Sequence, residues 1–200
     1  MLWLAAHPLI LASRSAIRRT LLESAGIPVA VRVADLDERA VEAQAGSLDP
    51  SMTAILLARE KAKAVTALPG QLVLGADQTL ALDQTRFTKP VDIAAARKQL
   101  LTLSGRTHEL CSGMAVVRDG QVIFSHCGVA RMTMRPLSEN FLDAYLAAAG
   151  PAVRTSVGGY QLEKLGIHLF ERIEGDHFTI LGLPLIPLFS FLRQEGVVAA

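Results

Sequence analysis

Gln71-Leu72-Val73-Leu74-Gly75-Ala76-Asp77 is the stretch on which the fold prediction rests. It follows Pro69-Gly70 and consists of a short apolar run, two small residues and a carboxylate. A short apolar run bounded by turn residues is typical of a buried strand. We therefore predict a buried strand over 71–76 with Asp77 at its end. Small neighbours there let a ligand or metal approach closely, and open α/β sheets form ligand crevices at the carboxyl ends of their strands.

The pattern of strands and helices around this stretch alternates. Further strands are predicted over 9–12, 29–33 and 167–173, and helices over 15–25, 49–67, 90–103, 138–149 and 184–194. Two extended runs, 108–118 and 121–135, flank Asp119-Gly120, which is a strong hairpin signal. Alternation combined with an antiparallel hairpin favours an α/β fold with a mixed β-sheet flanked by helices. With no internal repeat or clear linker, residues 1–200 are predicted to form one domain, with two lobes around a central cleft as an option.

Composition excludes several classes of protein. Half of the 200 residues are hydrophobic, a fifth are charged and the formal net charge is +1, so disorder is not expected. A near-neutral chain without a basic run does not favour nucleic-acid binding. No apolar run reaches the roughly 18 residues that span a bilayer. We expect a cytoplasmic protein with no nucleic-acid partner and no membrane partner, and a local cationic site for a small anion remains open.

The first predicted helix places one arginine on its apolar side. That side consists of Ile17, Leu21, Leu22 and Ala25. At about 100° per residue Arg18 falls inside this arc and Arg19 outside it. Helical side chains lean towards the N-terminus, so Arg18 is aimed at the helix start, where free N–H groups and the Ser13 and Ser15 hydroxyls favour an anion. The two interpretations are a phosphate-binding site and a snorkelling arginine beside a helix cap.

The second long helix has a lysine in the same kind of position. Its apolar arc consists of Leu57, Ala58, Ala62, Val65 and Leu68. Lys61 lies within this arc, whereas Arg59, Glu60 and Lys63 lie on the other side. An inward lysine meets a carboxylate or a bound anion. A structural ion pair and a phosphate contact are therefore both open for Lys61.

Two carboxylates and one loop lysine complete the candidate site. Glu38 ends the acidic turn 35–38, and with Asp77 it offers the oxygen ligands that Mg²⁺ and Mn²⁺ prefer. Lys89 precedes Pro90, which stiffens its turn and fixes the direction of the ammonium group. Taken alone, each of these residues is equally compatible with an ordinary solvated surface.

With these residues in this order, the sequence resembles the Maf family of nucleotide pyrophosphatases, also called septum formation inhibitor-like proteins. The similarity runs from Leu9 to about Gly196. The motifs that carry it are Leu11-Ala12-Ser13-Arg14-Ser15 with Arg18, Asp37-Glu38, Ala58 to Ala62 with Lys61, Gly75-Ala76-Asp77, Lys89-Pro90, Leu103-Ser104-Gly105-Arg106-Thr107-His108 and Gly182-Leu183-Pro184-Leu185. The resemblance implies an elongated α/β fold similar to inosine triphosphate pyrophosphatases, often dimeric, so that a homodimer is expected.

The resemblance also implies an activity and the roles of individual residues. The family hydrolyses a nucleoside triphosphate to the monophosphate and diphosphate with a divalent cation. By this similarity Asp77 is the catalytic proton acceptor, Arg18, Lys61 and Lys89 bind the triphosphate, and Glu38 is a metal-side carboxylate. Whether Asp77 is base, metal ligand or both stays open. The alternative is a non-catalytic nucleotide-binding regulator of cell division, but the retained carboxylates favour the enzyme.

Glu163 is the candidate for reading the nucleobase. It stands in Tyr160-Gln161-Leu162-Glu163-Lys164, where pyrimidine-specific members of the family carry glutamine, and Gln78 is similar to the 7-methyl-GTP subgroup. A carboxylate accepts two hydrogen bonds, which suits the adjacent N1–H and N2–H₂ donors of guanine. We therefore expect a methylated or otherwise modified purine nucleotide. The alternative is that Glu163 pairs with Lys164 or Arg172 and contacts no base.

Overall fold

A computed structural model describes residues 2–33, 35–46, 48–83 and 85–199. Within these ranges one sheet contains strands β1 (Leu9–Ala12), β2 (Val29–Val31), β3 (Val73–Leu82), β4 (Thr85–Phe87), β5 (Thr107–Arg118), β6 (Gln121–Met134) and β7 (Phe170–Glu174). The helices are α1 (Ala16–Ser24), α2 (Glu38–Ala45), α3 (Pro50–Lys63), α4 (Ile93–Leu103), α5 (Glu139–Ala149), α6 (His177–Ile180) and α7 (Leu185–Gln194). Turns of 3₁₀ helix cover Gly150–Arg154, Val157–Gly159 and Leu165–Leu169.

The sheet is mixed, as the sequence predicts. Its strand order is β2-β1-β3-β5-β6-β7, and β4 pairs with β3 beside this path. β1 runs parallel to β2 and β3, whereas the other pairs are antiparallel. The predicted hairpin between β5 and β6 is confirmed, because Asp119 and Gly120 have φ angles of 51° and 77°, the combination that a tight two-residue hairpin turn requires. No helix in the described part of the chain is long and apolar enough to cross a membrane.

Asp77 lies in the middle of a strand, so the prediction that the strand ends before it is wrong. β3 continues to Leu82, and it pairs with β5 from Val73 through Ala81. The element that ends at this level is β1, whose last residue, Ala12, is paired with Gly75. The next pairing on that side of β3 is with β4, and it begins at Leu80. Residues 76–79 of β3 therefore have no strand partner on that side among the described residues, and the sheet is open beside Asp77.

Two apolar cores lie on one face of β3. Alternate residues of a strand share a face, and Leu74 and Ala76 belong to a core with α1 and α7, whereas Leu80 and Leu82 belong to a core with α4 and α5. Gln78 stands between the two pairs on this face. The opposite face, which carries Asp77, is covered by α3, whose Ala62 packs near Val73.

Several local predictions need correction. Residues 167–173 were expected to form one strand, but 165–169 form a 3₁₀ turn and β7 begins at Phe170. The acidic turn 35–38 leads into a helix, because Asp37 caps α2 by accepting a hydrogen bond from the N–H of Ala40, and Glu38 is the first helical residue. The sequence interpretation did not include α2, β4 or α6.

Candidate active site

Glycines bring α3 into contact with the sheet on both sides of Asp77. A Cβ atom added to Gly75 would lie 2.0 Å from the carbonyl oxygen of Ala58, and one added to Gly113 would lie 2.3 Å from the carbonyl carbon of Ala54. Gly113 is the residue directly opposite Asp77 on β5. Gly75 is one of the two small residues that were expected to let a ligand or metal approach, and it lets the backbone of α3 approach the strand. This close packing is what brings the side chain of Lys61 to Asp77.

Lys61 joins two carboxylates from different elements. Its Nζ lies 2.5 Å from Oδ1 of Asp77 and 2.9 Å from Oε1 of Glu38. The side chains of Lys61 and Asp77 are 13% and 15% exposed, whereas that of Glu38 is 50% exposed. Attraction between charges is stronger where water is largely excluded, so the pair of Lys61 with Asp77 is the stronger one. The ion pair expected as one alternative for Lys61 is confirmed, and the phosphate contact stays a prediction.

Arg18 is buried beside this cluster. Its Nε donates to the carbonyl oxygen of Gly182 at 2.8 Å, and its Nη1 donates to the carbonyl oxygen of Ala76 at 2.7 Å and to Oγ of Ser13 at 3.1 Å. Only 8% of the residue is exposed. The prediction that Arg18 points inward towards the helix start is therefore confirmed. The snorkelling interpretation is wrong, because the guanidinium lies inside the molecule instead of reaching into water.

The guanidinium of Arg18 is electrostatically coupled to the carboxylates. Burial lowers the pKa of Arg18 from its usual value, whereas the negative charges of Asp77 and Glu38 raise it. Its Nη2 group makes no hydrogen bond to the described residues, so this donor is available to an anion. Since an arginine stays charged in proteins, a positive charge is fixed next to the open edge of β3.

The two serines lie at the start of α1. Ser15 is the N-cap, and its Oγ accepts from the N–H of Arg18 at 3.4 Å, while Oγ of Ser13 accepts from the N–H of Ser15 at 3.3 Å. A hydroxyl that accepts a hydrogen bond can still donate its own proton. The helix start thus offers hydroxyl donors close to Arg18, in the arrangement that favours anions at helix N-termini.

Gln78 anchors α6 on the opposite face of β3. Its Nε2 donates to Oγ of Ser112 at 2.9 Å, to the carbonyl oxygen of Ile180 at 3.0 Å and to that of Thr179 at 3.3 Å. This contact could not be predicted from local sequence, since its partners lie 34 to 102 residues away. The segment 179–182 is thus held against β3 at the two residues that flank Asp77. Gln78 bonds it directly, and Arg18 links Gly182 to the carbonyl oxygen of Ala76.

Lys89 and Glu163 are not joined to the Asp77 cluster by any described contact. Lys89 is exposed in the loop after β4, and Glu163 is exposed in the turn before the 3₁₀ turn Leu165–Leu169. The alternative ion pair of Glu163 is not found among the described residues, because Arg172 instead lies 3.5 Å from Glu174. The roles of Lys89 and Glu163 stay predictions.

The arrangement of Asp77 and Glu38 suits a hard cation. Their oxygens Oδ1 and Oε1 approach one common point, the Nζ atom of Lys61, to within 2.9 Å. Carboxylate oxygen is the ligand that Mg²⁺ prefers, usually with one or two carboxylates completed by water and phosphate. The described residues contain no cluster of three or more His, Cys, Asp or Glu side chains able to hold a metal. A cation at this point would therefore need its other ligands from substrate and solvent.

Comparison with known proteins gives consistent results over almost the whole chain. Residues 8–195 match the family described as Maf-like protein. The chain is 58% identical over 199 residues to the nucleoside triphosphate pyrophosphatase of Bradyrhizobium diazoefficiens and 56% identical over 199 residues to that of Rhodopseudomonas palustris, with 99% of this chain and 98% of each relative covered. It is also 50% identical over 193 residues to the 7-methyl-GTP pyrophosphatase of Mesorhizobium japonicum, with 95% of this chain and 97% of the relative covered.

Proposed function

This chain belongs to the Maf family, and from that premise we infer that it is a nucleoside triphosphate pyrophosphatase, a hydrolase of phosphoric anhydrides. The observation that best supports a site for this reaction is the contact of Lys61 with both Asp77 and Glu38 beside the buried Arg18. Two cations and two carboxylates meet there at an open strand edge. The products would be the nucleoside monophosphate and diphosphate, with water attacking the α-phosphorus.

The two carboxylate oxygens of Asp77 are proposed to have different roles, one in metal binding and one in accepting a proton. Oδ1 faces the point shared with Glu38, whereas Oδ2 makes no hydrogen bond to the described residues. In the proposed reaction Oδ2 accepts a proton from the attacking water, and Oδ1 with Glu38 would hold Mg²⁺ or Mn²⁺. A bound divalent cation supplies neutralisation of charge on the phosphate oxygens. Because Asp77 lies within a paired strand under α3, its position is fixed before substrate arrives.

Lys61 and Arg18 balance the negative charge of the triphosphate. Nζ of Lys61 exchanges its carboxylate contacts for phosphate oxygens when substrate binds, and the Nη2 group of Arg18 donates to the same chain of phosphates. Fixed donors aimed at developing charge stabilise the transition state and the leaving diphosphate. Ser13 and Ser15 add hydroxyl donors at the start of α1, and Lys89 would join from its loop.

For the nucleobase, Glu163 is the proposed reader, with 7-methyl-GTP or another modified purine nucleotide as substrate. Its carboxylate is exposed and makes no ion pair with Lys164 or Arg172 among the described residues, so it is available for base donors. One similar protein carries the name 7-methyl-GTP pyrophosphatase, which supports this choice. The predicted divalent cation, homodimer and cytoplasmic location stay predictions.

A panel of nucleotides tests both the pyrophosphatase activity and the base preference assigned to Glu163. Diphosphate release from 7-methyl-GTP, GTP, UTP and dTTP is measured with Mg²⁺, with Mn²⁺ and with chelator. We expect metal-dependent release of one diphosphate per nucleotide and the highest kcat/KM for 7-methyl-GTP. Absence of turnover with every nucleotide would overturn the enzymatic role, whereas a strong pyrimidine preference would overturn only the role of Glu163.

A further inference from the structure

His108 is a buried side chain that the proposed reaction does not use. It lies on β5, is 1% exposed, and its Nε2 shares a hydrogen bond of 2.7 Å with the hydroxyl of Tyr160. Its Nδ1 is buried without a partner among the described residues. An unsatisfied buried polar atom costs stability, so a hydrophobic residue would be the better choice if packing were all that this position required. The bond to Tyr160 is therefore the feature that a role for His108 must explain.

The contacts of His108 hold both ends of the turn that carries Glu163. Tyr160 precedes the turn and Phe170 follows it, and their ring centroids lie 5.8 and 5.9 Å from that of His108. The two aromatic rings also meet each other edge to face at 4.9 Å. The turn is closed on itself, because the N–H groups of Lys164 and Gly166 both donate to the carbonyl oxygen of Gln161. A single histidine thus secures both ends of a short closed loop.

A pocket borders the other side of this loop. Its volume is about 150 Å³, and it is lined by Tyr145, Val153, Tyr160, Gln161, Lys164 and Gly166 among others. This pocket is partly open to solvent, since its lining residue Lys164 is exposed. On this side the loop borders open space, so the contacts at its two ends are the ones that fix its position. Its position relative to Asp77 depends on β3 and β5, since Gly158 packs against Leu80 of β3 while Tyr160 is bonded to β5.

We propose that His108 is a positioning residue for nucleobase selection, acting through its hydrogen bond to Tyr160 on the turn 161–166 that presents Glu163. This inference rests on the proposed function, because it assumes that Glu163 reads the base. His108 touches neither the base nor the phosphates. It sets the position of the base-reading carboxylate relative to β5, the strand that pairs with β3 at Asp77.

A double-mutant cycle of Tyr160→Phe and Glu163→Gln tests this role, because Tyr160→Phe keeps the ring and removes only the bond to His108. The readout is the ratio of kcat/KM for 7-methyl-GTP to that for UTP. We expect Tyr160→Phe to lower this ratio about tenfold, the value of one hydrogen bond worth about 1.4 kcal/mol, through KM and with kcat unchanged. In the Glu163→Gln background the same substitution should leave the ratio unchanged. His108→Gln, with melting temperatures recorded for all variants, should reproduce the effect of Tyr160→Phe.

The outcomes separate the two ideas. If Glu163→Gln lowers the ratio but Tyr160→Phe does not, the role of His108 is overturned and the base-reading role of Glu163 stands. An equal loss from Tyr160→Phe in both backgrounds would also overturn it, since that result signals a structural effect independent of Glu163. If Glu163→Gln itself leaves the ratio unchanged, the base-reading part of the proposed function fails, and the inference fails with it.

Discussion

The Nζ atom of Lys61 lies 2.5 Å from Oδ1 of Asp77 and fills the position between that carboxylate and Glu38. A divalent cation at the proposed site would therefore compete with Lys61 for the same two oxygens. Removing the lysine charge should tighten metal binding even as it weakens catalysis, because two carboxylates without a counter-ion repel each other and attract a cation. We expect Lys61→Met to bind Mn²⁺ about tenfold more tightly, on the order of 1.4 kcal/mol, and to lose turnover.

Calorimetric titration with Mn²⁺ measures this effect, and Lys63→Met is the matched control. Lys63 pairs with Glu60 on the exposed side of α3, 3.0 Å away, so its loss should leave both Mn²⁺ affinity and turnover unchanged. Weaker Mn²⁺ binding by Lys61→Met would show that Asp77 and Glu38 do not form the metal site.

Asp77→Asn should lower kcat about 10³-fold, within the range associated with a lost general base. Asparagine keeps the shape of aspartate but has neither its negative charge nor its capacity to take a proton from water. Diphosphate release measures the effect, with the melting temperature as a check on folding. Asp83→Asn is the charge-matched control, because Asp83 is an exposed partner of Arg106 and its loss should not change kcat. Full turnover by Asp77→Asn would refute the assignment.

Arg18→Lys is expected to be costly although it preserves the charge. The guanidinium donates hydrogen bonds from Nε to the carbonyl oxygen of Gly182 and from Nη1 to that of Ala76. An ammonium group cannot reproduce that geometry. Leaving a buried carbonyl unpaired should lower the free energy of unfolding by about 2 kcal/mol and kcat/KM about 100-fold. Arg19→Lys is the control, since among the described residues Arg19 makes only an exposed pair with Glu23, and its replacement should change stability by less than about 0.5 kcal/mol. Urea unfolding measures the change in stability and steady-state kinetics measures the change in kcat/KM. Equal effects of Arg18→Lys and Arg19→Lys would contradict a role for the buried guanidinium.

The inward direction of side chains on the helices was predicted correctly from the helical period, whereas the end of strand β3 was predicted wrongly. Arg18 and Lys61 could be placed from the 3.6-residue period alone, because a cation inside an apolar arc needs a partner whatever the tertiary structure. The end of β3 could not, because Asp77 and Gln78 are polar and look like the end of a buried run. Their tolerance inside a strand depends on Lys61 and Ser112, which are distant in sequence. The cap at Asp37, by contrast, was a local signal that could have identified α2.

Gly75→Ala should displace α3 and so disturb the site without touching a charged group. The added Cβ would lie 2.0 Å from the backbone oxygen of Ala58, and a backbone neighbour cannot rotate away. We expect the free energy of unfolding to fall by about 3 kcal/mol, the upper range of overpacking effects, together with a loss of kcat as Lys61 moves. Gly70→Ala is the control, because Gly70 has open space around it and a φ of 74°, so only about 1 kcal/mol of backbone strain is expected. Equal destabilisation of the two variants, measured by urea unfolding, would contradict the close approach of α3.

Protonation of His108 should make the protein less stable in acid. Burial lowers the pKa of His108 from 6.5 to about 4, so between these pH values the unfolded chain binds more protons than the folded one. The free energy of unfolding therefore rises with pH across this window. The contribution of His108 is fully present above pH 6.5 and is lost as the pH falls through 4, with a total of about 3 kcal/mol. Urea unfolding of the wild type and of His108→Gln at pH 4 to 8 isolates this contribution, because the free energy of unfolding of the wild type minus that of the variant should decrease as the pH falls from 6.5 to 4. A stability difference between the wild type and His108→Gln that stays constant from pH 4 to 8 would contradict the prediction.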